Sequence, residues 1–270
     1  GGFSPLMLGI GGVGVPAAFL GAGGVLLLFL AGFTAMTPHV RSQGAFYAYI
    51  SVGLGRAAGA ASAIVALVAY NVALIGALGL IPVYVVQDAK LLIGVDIPWP
   101  VAAVVVAFVI FAIAATGIGV GARVLAVLLS AELALVAFVA IAVLVRGGAH
   151  GLELSSLLPS NVFAPGMGAV LALAFIGFLG IEAIALYRAE ARDPDRTIPR
   201  AGVVTVVGIA VFYAVVSWVV VQGFGASTLS AAVEKYGAAL FFVVARTYVG
   251  EWASILMQAL ILTSLLAAQL

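Results

Sequence analysis

Apolar runs, many of them about 20 residues long, recur along the whole chain, each closed by a short cluster of Gly, Pro and polar residues. They predict segments at 3–14, 16–37, 57–86, 99–117, 123–145, 165–188, 201–222 and 250–270, eight in all, with the first one short. A helix needs about 20 apolar residues to cross the hydrocarbon core, whereas a barrel strand alternates over about 10, so continuous runs predict helices. Two weaker stretches predict helices lying on the membrane rather than across it. Residues 43–54 set Phe46, Tyr47, Tyr49 and Ile50 beside Gly and Ser, and 237–248 is apolar but only about a dozen residues long and carries Arg246.

Composition fixes the class. Of 270 residues, 65% are hydrophobic and 8% charged, with a mean hydropathy of +1.32; a soluble domain has roughly half and about a quarter. The expectation is an all-α membrane protein, a multi-pass helical bundle in a lipid bilayer. A net charge of +1 offers no basic field for nucleic acid. No cysteine means no disulfide, thiolate metal site or thiol nucleophile. An enzyme is not expected: His39 and His150 fall in different loops, and no HExxH or G-x-S-x-G turn occurs. ATP-driven transport needs a P-loop, which is also missing. Lys and Arg counts set the orientation. Arg41, Arg56, Arg123, Arg188, Arg192, Arg196 and Arg200 fall on one side, Lys90, Arg146, Lys235 and Arg246 on the other, which puts the first set in the cytoplasm. The opening Gly1-Gly2 without Met, and the stop at Leu270 inside an apolar run, predict a fragment incomplete at both ends.

Two segments are interrupted. The first has nine Gly in the first 24 residues plus Pro5, and the sixth has Gly177 and Gly180. Five spans separate the two series, so the second would be inverted relative to the first. Interrupted segments at matching places in inverted halves point to a midplane binding site in a secondary transporter; the competing reading is that Gly and Pro are simply common in membrane helices. In Phe175-Ile-Gly177-Phe-Leu-Gly180-Ile-Glu182 the glycines allow the helix to unwind, which frees peptide groups to meet a ligand. Glu182 lies just past the break, where a carboxylate costs about 2.5–3.5 kcal/mol, so it either serves function or locks packing to a neighbouring helix. Ser4-Pro5 suits the start of a half-helix, leaving the amides of Leu6, Met7 and Leu8 unpaired for an anion, unless this is an ordinary cap facing solvent. Glu190 to Arg200 reads as a capped cytoplasmic turn, with Pro199 starting the next helix.

Phe178-Leu-Gly-Ile-Glu182, the stretch Glu190-Ala-Arg-Asp-Pro194-Asp-Arg-Thr-Ile-Pro199-Arg-Ala201, and Gly44-Ala-Phe-Tyr47-Ala-Tyr49 with Gly53-Leu-Gly55 behind it resemble the amino acid–polyamine–organocation permeases. The resemblance implies a five-plus-five inverted-repeat fold like that of sodium-coupled leucine transporters. Residues 1–146 would form the first repeat, 147–164 an extracellular loop, and 165–270 the second repeat as far as span eight. It implies alternating access for an amino acid or related amine in the plasma membrane, with no cofactor and sodium or a proton as coupling ion. The substrate carboxylate would meet Ser4, Pro5, Leu6 and Met7, and its amine the break at Phe175, Ile176, Gly177, Phe178, Gly180 and Ile181. Tyr70 and Asn71, midway through span three, would face the substrate.

The hydroxyl pair Thr263 and Ser264 would ligate sodium, although such residues in membrane helices usually bond their own backbone or a neighbour. Glu182 and Glu132 are candidates for proton coupling or gating; the role of Glu132 is open, and no lysine stands in span five. Two further departures are the absence of a Gly-Ser-Gly start and Ile176 in place of a large aromatic gate. Rival classes are a channel, which calls for a continuous polar stripe that no span offers, a membrane-embedded enzyme using Glu132 and Glu182, and an inert fragment.

Overall fold

A computed structural model describes residues 4–40, 45–115, 122–189, 191–267 and 269. The readings on Arg41, Gly44 and Glu190 lie outside the described residues, as do the side chains of Arg123 and Arg188. Among the described residues every regular element is helical. In chain order these are α1 (Ser4–Gly11), α2 (Val15–Met36), α3 (Ala45–Leu54), α4 (Arg56–Asp88), α5 (Trp99–Ala115), α6 (Ala122–Val145), α7 (Pro159–Val162), α8 (Met167–Ile176), α9 (Pro194–Phe224), α10 (Leu229–Tyr236), α11 (Leu240–Tyr248) and α12 (Glu251–Ala267). Short 3₁₀ turns fall at Gly12–Gly14, Ser155–Leu157, Ile181–Ala189 and Gly237–Ala239, and a π turn at Ala89–Ile93.

The helical, membrane-type architecture agrees with the pattern of the chain, and among the described residues five runs are long and apolar enough to cross a membrane. They are Ser4–Met36, Arg56–Asp88, Val127–Val145, Met167–Ala185 and Pro194–Phe224, with Trp99–Ile113 and Glu251–Leu266 shorter. At about 1.5 Å per residue, α1 covers only about 12 Å of a core about 30 Å thick, so it joins α2 in a single 33-residue run. One correction concerns Pro199, which lies inside α9 rather than at its start. The helix begins earlier because Asp193-Pro194 already supplies a start: the Asp193 carbonyl accepts from Thr197 N–H at 2.8 Å, and Pro194 takes the first helical position, where a missing N–H costs nothing.

The chain forms two compact units. The first comprises Ile10–Asn71 and Leu154–Ser217; the second comprises Gly2–Gly9, Val72–Glu153 and Trp218–Leu270. In the first unit α2 packs along α8. Small residues make this packing close: a Cβ on Gly23 would stand 2.5 Å from that of Ala210 in α9. The far end of α2 carries α3 through an aromatic cluster, Phe46 lying edge-on to both Phe29 and Phe33, with Tyr49 4.5 Å from Phe33. In the second unit α6, α11 and α12 pack together, with Phe138 against Trp252. There the buried Gln222 side chain clamps the backbone of Glu153, accepting its N–H at 2.8 Å and donating to its carbonyl at 2.9 Å.

Candidate functional site

In the first unit, α8 stops at Ile176 because the chain cannot continue as a helix through Gly180, whose φ of +94° is left-handed. The turn from Gly177 to Gly180 holds together by short i→i−3 bonds: Gly177 N–H to Ala174 O at 3.0 Å, Phe178 N–H to Phe175 O at 3.0 Å, and Leu179 N–H to Ile176 O at 3.2 Å. Beyond it, Ile181 N–H donates to Phe178 O at 3.3 Å and Ala183 N–H to Gly180 O at 2.9 Å, opening the 3₁₀ stretch Ile181–Ala189. Among the described residues the amides of Gly180 and Glu182 and the carbonyls of Gly177 and Leu179 have no backbone partner. Two donors and two acceptors without backbone partners thus fall within one turn.

Aromatic side chains surround this turn. Tyr213 of α9 lies against Gly177, where a Cβ would approach its ring to 3.1 Å, and Tyr213 stacks on Phe19 of α2 with ring centres 5.1 Å apart. Phe178 is buried; Ile176 and Leu179 are exposed, and Glu182 is half-buried two residues beyond Gly180. A second interruption, Gly12–Gly14, separates α1 from α2, with Gly12 at φ +52°. It packs against the 155–162 stretch: a Cβ on Gly14 would meet the Asn161 carbonyl, and Met167 at the start of α8 lies beside Gly11. Along α8 the two interruptions are about ten residues, or about 15 Å, apart. A cavity of about 350 Å³ lies among Ala17, Ala18, Gly21, Phe163, Met167 and Leu171, lined with apolar side chains and glycine.

The remaining sequence-derived candidates are placed as follows. In the first unit with the Gly177–Gly180 turn are Tyr70, half-buried, and Asn71, exposed, whose amide donates to the Leu67 carbonyl one helical turn back at 2.8 Å. In the second unit are Ser4, Pro5, Leu6 and Met7 in the first turn of α1, where Ser4 and Met7 are buried and Leu6 is exposed. The same unit holds Thr263 and Ser264, both half-buried; the Thr263 hydroxyl donates to the Leu260 carbonyl at 2.8 Å, which leaves its oxygen lone pairs open. Glu132 is there too, half-buried, with Oε2 sealed from solvent and without a hydrogen-bond partner.

The sequence profile of the amino acid permease family matches residues 4–270. The chain belongs to that family. No curated protein sequence matches it significantly. Family members are transporters of small molecules embedded in a membrane, and the helical runs of this permease accord with that setting. Sequence reasoning did not single out Phe19 or Tyr213 in this permease. The available signal was Gly177 itself, because a glycine inside an apolar span often marks a close approach by a bulky neighbour. Nor did it select Asp88, an acid at the end of an apolar run, because the span boundary drawn at residue 86 left it in a loop.

Proposed function

We propose that this permease is a secondary transporter that moves an amino acid or related amine across the plasma membrane by alternating access. The observation that supports this reading is the interruption at Gly177–Gly180, with peptide donors and acceptors that have no backbone partner among the described residues, Tyr213 against Gly177 and Phe19 stacked on Tyr213. Peptide groups recognise the charged ends of an amino acid without a buried side-chain charge, whose desolvation would oppose binding. The aromatic rings suit a neutral or apolar substrate side chain. Within the same unit the Gly12–Gly14 interruption is the second backbone element of this reading. In this reading α8 with its 3₁₀ continuation acts as a discontinuous helix of the second inverted repeat.

Coupling is assigned to Glu182 and Glu132 for a proton, or to Thr263 and Ser264 for sodium, whose hydroxyl oxygens are hard ligands. The test is counterflow: the purified protein in liposomes preloaded with an unlabelled amino acid should accumulate the radiolabelled one, in trials with and without a sodium or proton gradient. Stimulated exchange with at least one neutral amino acid is expected. Its absence for every amino acid and amine tried would overturn the reading.

A further inference from the structure

Asp88 is the one acidic side chain that is buried among the described residues, 5% exposed, and its Oδ1 has no hydrogen-bond partner. It is the last α-helical residue of the 33-residue helix α4, and the helical backbone runs on through the π turn to Gly94. Burial and the unpaired oxygen both act against this side chain, and both are relieved by one positive charge. Lys90, two residues on, does not supply it, because it pairs with Asp96 at 2.9 Å out in solvent. Gln87 Nε2, in the same turn, is likewise buried without a partner, and the chain continues into a π turn, a distortion frequent at functional sites.

The surroundings select the kind of cation. Tyr84 lies one helical turn before Asp88 on the same face, is 2% exposed, and pairs edge-on with Phe242 of α11, ring centres 6.1 Å apart. A hard metal ion gathers six or so oxygens, and the side chains of Asp88, Tyr84 and Gln87 together carry four. An organic ammonium instead uses a carboxylate for its N–H groups and ring faces for its charge. A helix of 33 residues is about 50 Å long and overreaches a core about 30 Å thick, which leaves room for the Asp88 end to lie at the interface.

We propose that Asp88, with the Tyr84–Phe242 pair beside it, is a binding site for a primary ammonium group. The site stands on this geometry; only the natural bearer of the ammonium, the amine of a transported substrate, rests on the transporter reading above.

The test uses the full chain purified in detergent, methylammonium chloride as probe and sodium chloride at equal ionic strength as reference. Binding is read from the thermal midpoint through tryptophan fluorescence. Methylammonium should raise the midpoint saturably and sodium should not. Asp88→Asn should weaken the apparent methylammonium affinity about 10- to 100-fold, the range for loss of a charged hydrogen bond. Phe242→Leu should weaken it about 2- to 10-fold, and serves as the deciding variant if Asp88→Asn does not fold. Unchanged affinity in either folded variant, or equal protection by sodium, would overturn the proposal. A protein that binds methylammonium through Asp88 yet exchanges no amino acid would uphold this site and sink the transporter reading.

Discussion

Replacing Gly23 by alanine tests the closest helix contact in the first unit. The new Cβ would lie 2.5 Å from the Ala210 Cβ, where carbon atoms prefer about 3.5–4.0 Å, so α2 and α9 must separate locally by about 1 Å or more. Overpacking of this kind costs about 1–3 kcal/mol. Alanine also gains about 1 kcal/mol over glycine in a helix interior, which masks part of the loss in the single variant. A double-mutant cycle removes the masking. Gly23→Ala, Ala210→Gly and the double variant should show a coupling of about 1–3 kcal/mol, because the propensity changes cancel and only the clash remains. Thermal or denaturant unfolding in detergent, followed by intrinsic tryptophan fluorescence, measures each corner. A coupling within about 0.5 kcal/mol of zero would refute the contact. Because Phe178 Cζ is the next neighbour of that added atom, at 3.9 Å, the single variant should also slow exchange.

Three further outcomes follow from the same structure. Gly180→Ala places a side chain at φ +94°, with no atom within 4 Å of it, so its cost of about 1–2 kcal/mol is purely backbone strain; counterflow should fall sharply, while Gly208→Ala, equally uncrowded at an ordinary φ, should leave it intact. Glu182→Gln should change the pH profile of uptake, and an unaltered profile would return this residue to a packing role. Alanine at Thr263 and Ser264 together should abolish any sodium stimulation measured in liposomes; a retained response would remove both from the ion site.

Periodicity alone made most of the helices legible. The expected 57–86, 123–145 and 250–270 became Arg56–Asp88, Ala122–Val145 and Glu251–Ala267. The reason is that a continuous apolar run has no soluble alternative in which its backbone is satisfied. The end of α8 at Ile176 fits the glycine pattern, because the turn that follows needs Gly180, the residue type that accepts φ +94° without strain. Where α9 begins was less legible. Two prolines, Pro194 and Pro199, compete as helix starters, and the bond from Thr197 to the Asp193 carbonyl decides between them in three dimensions. Partners across the fold were illegible: nothing in the spacing of Phe19, Gly177 and Tyr213 announces that they meet. Asn71 illustrates the opposite limit, a polar residue in mid-span whose amide turns back onto its own helix at Leu67.

The central claim is that naked peptide groups of the Gly177–Glu182 turn hold the cargo. Hydrogen–deuterium exchange of the reconstituted permease, with and without a saturating amino acid that it exchanges, reads those groups directly. The amides of Gly180 and Glu182 should become protected when the amino acid is present. Unchanged exchange at both, in a preparation that carries out counterflow, would contradict the account.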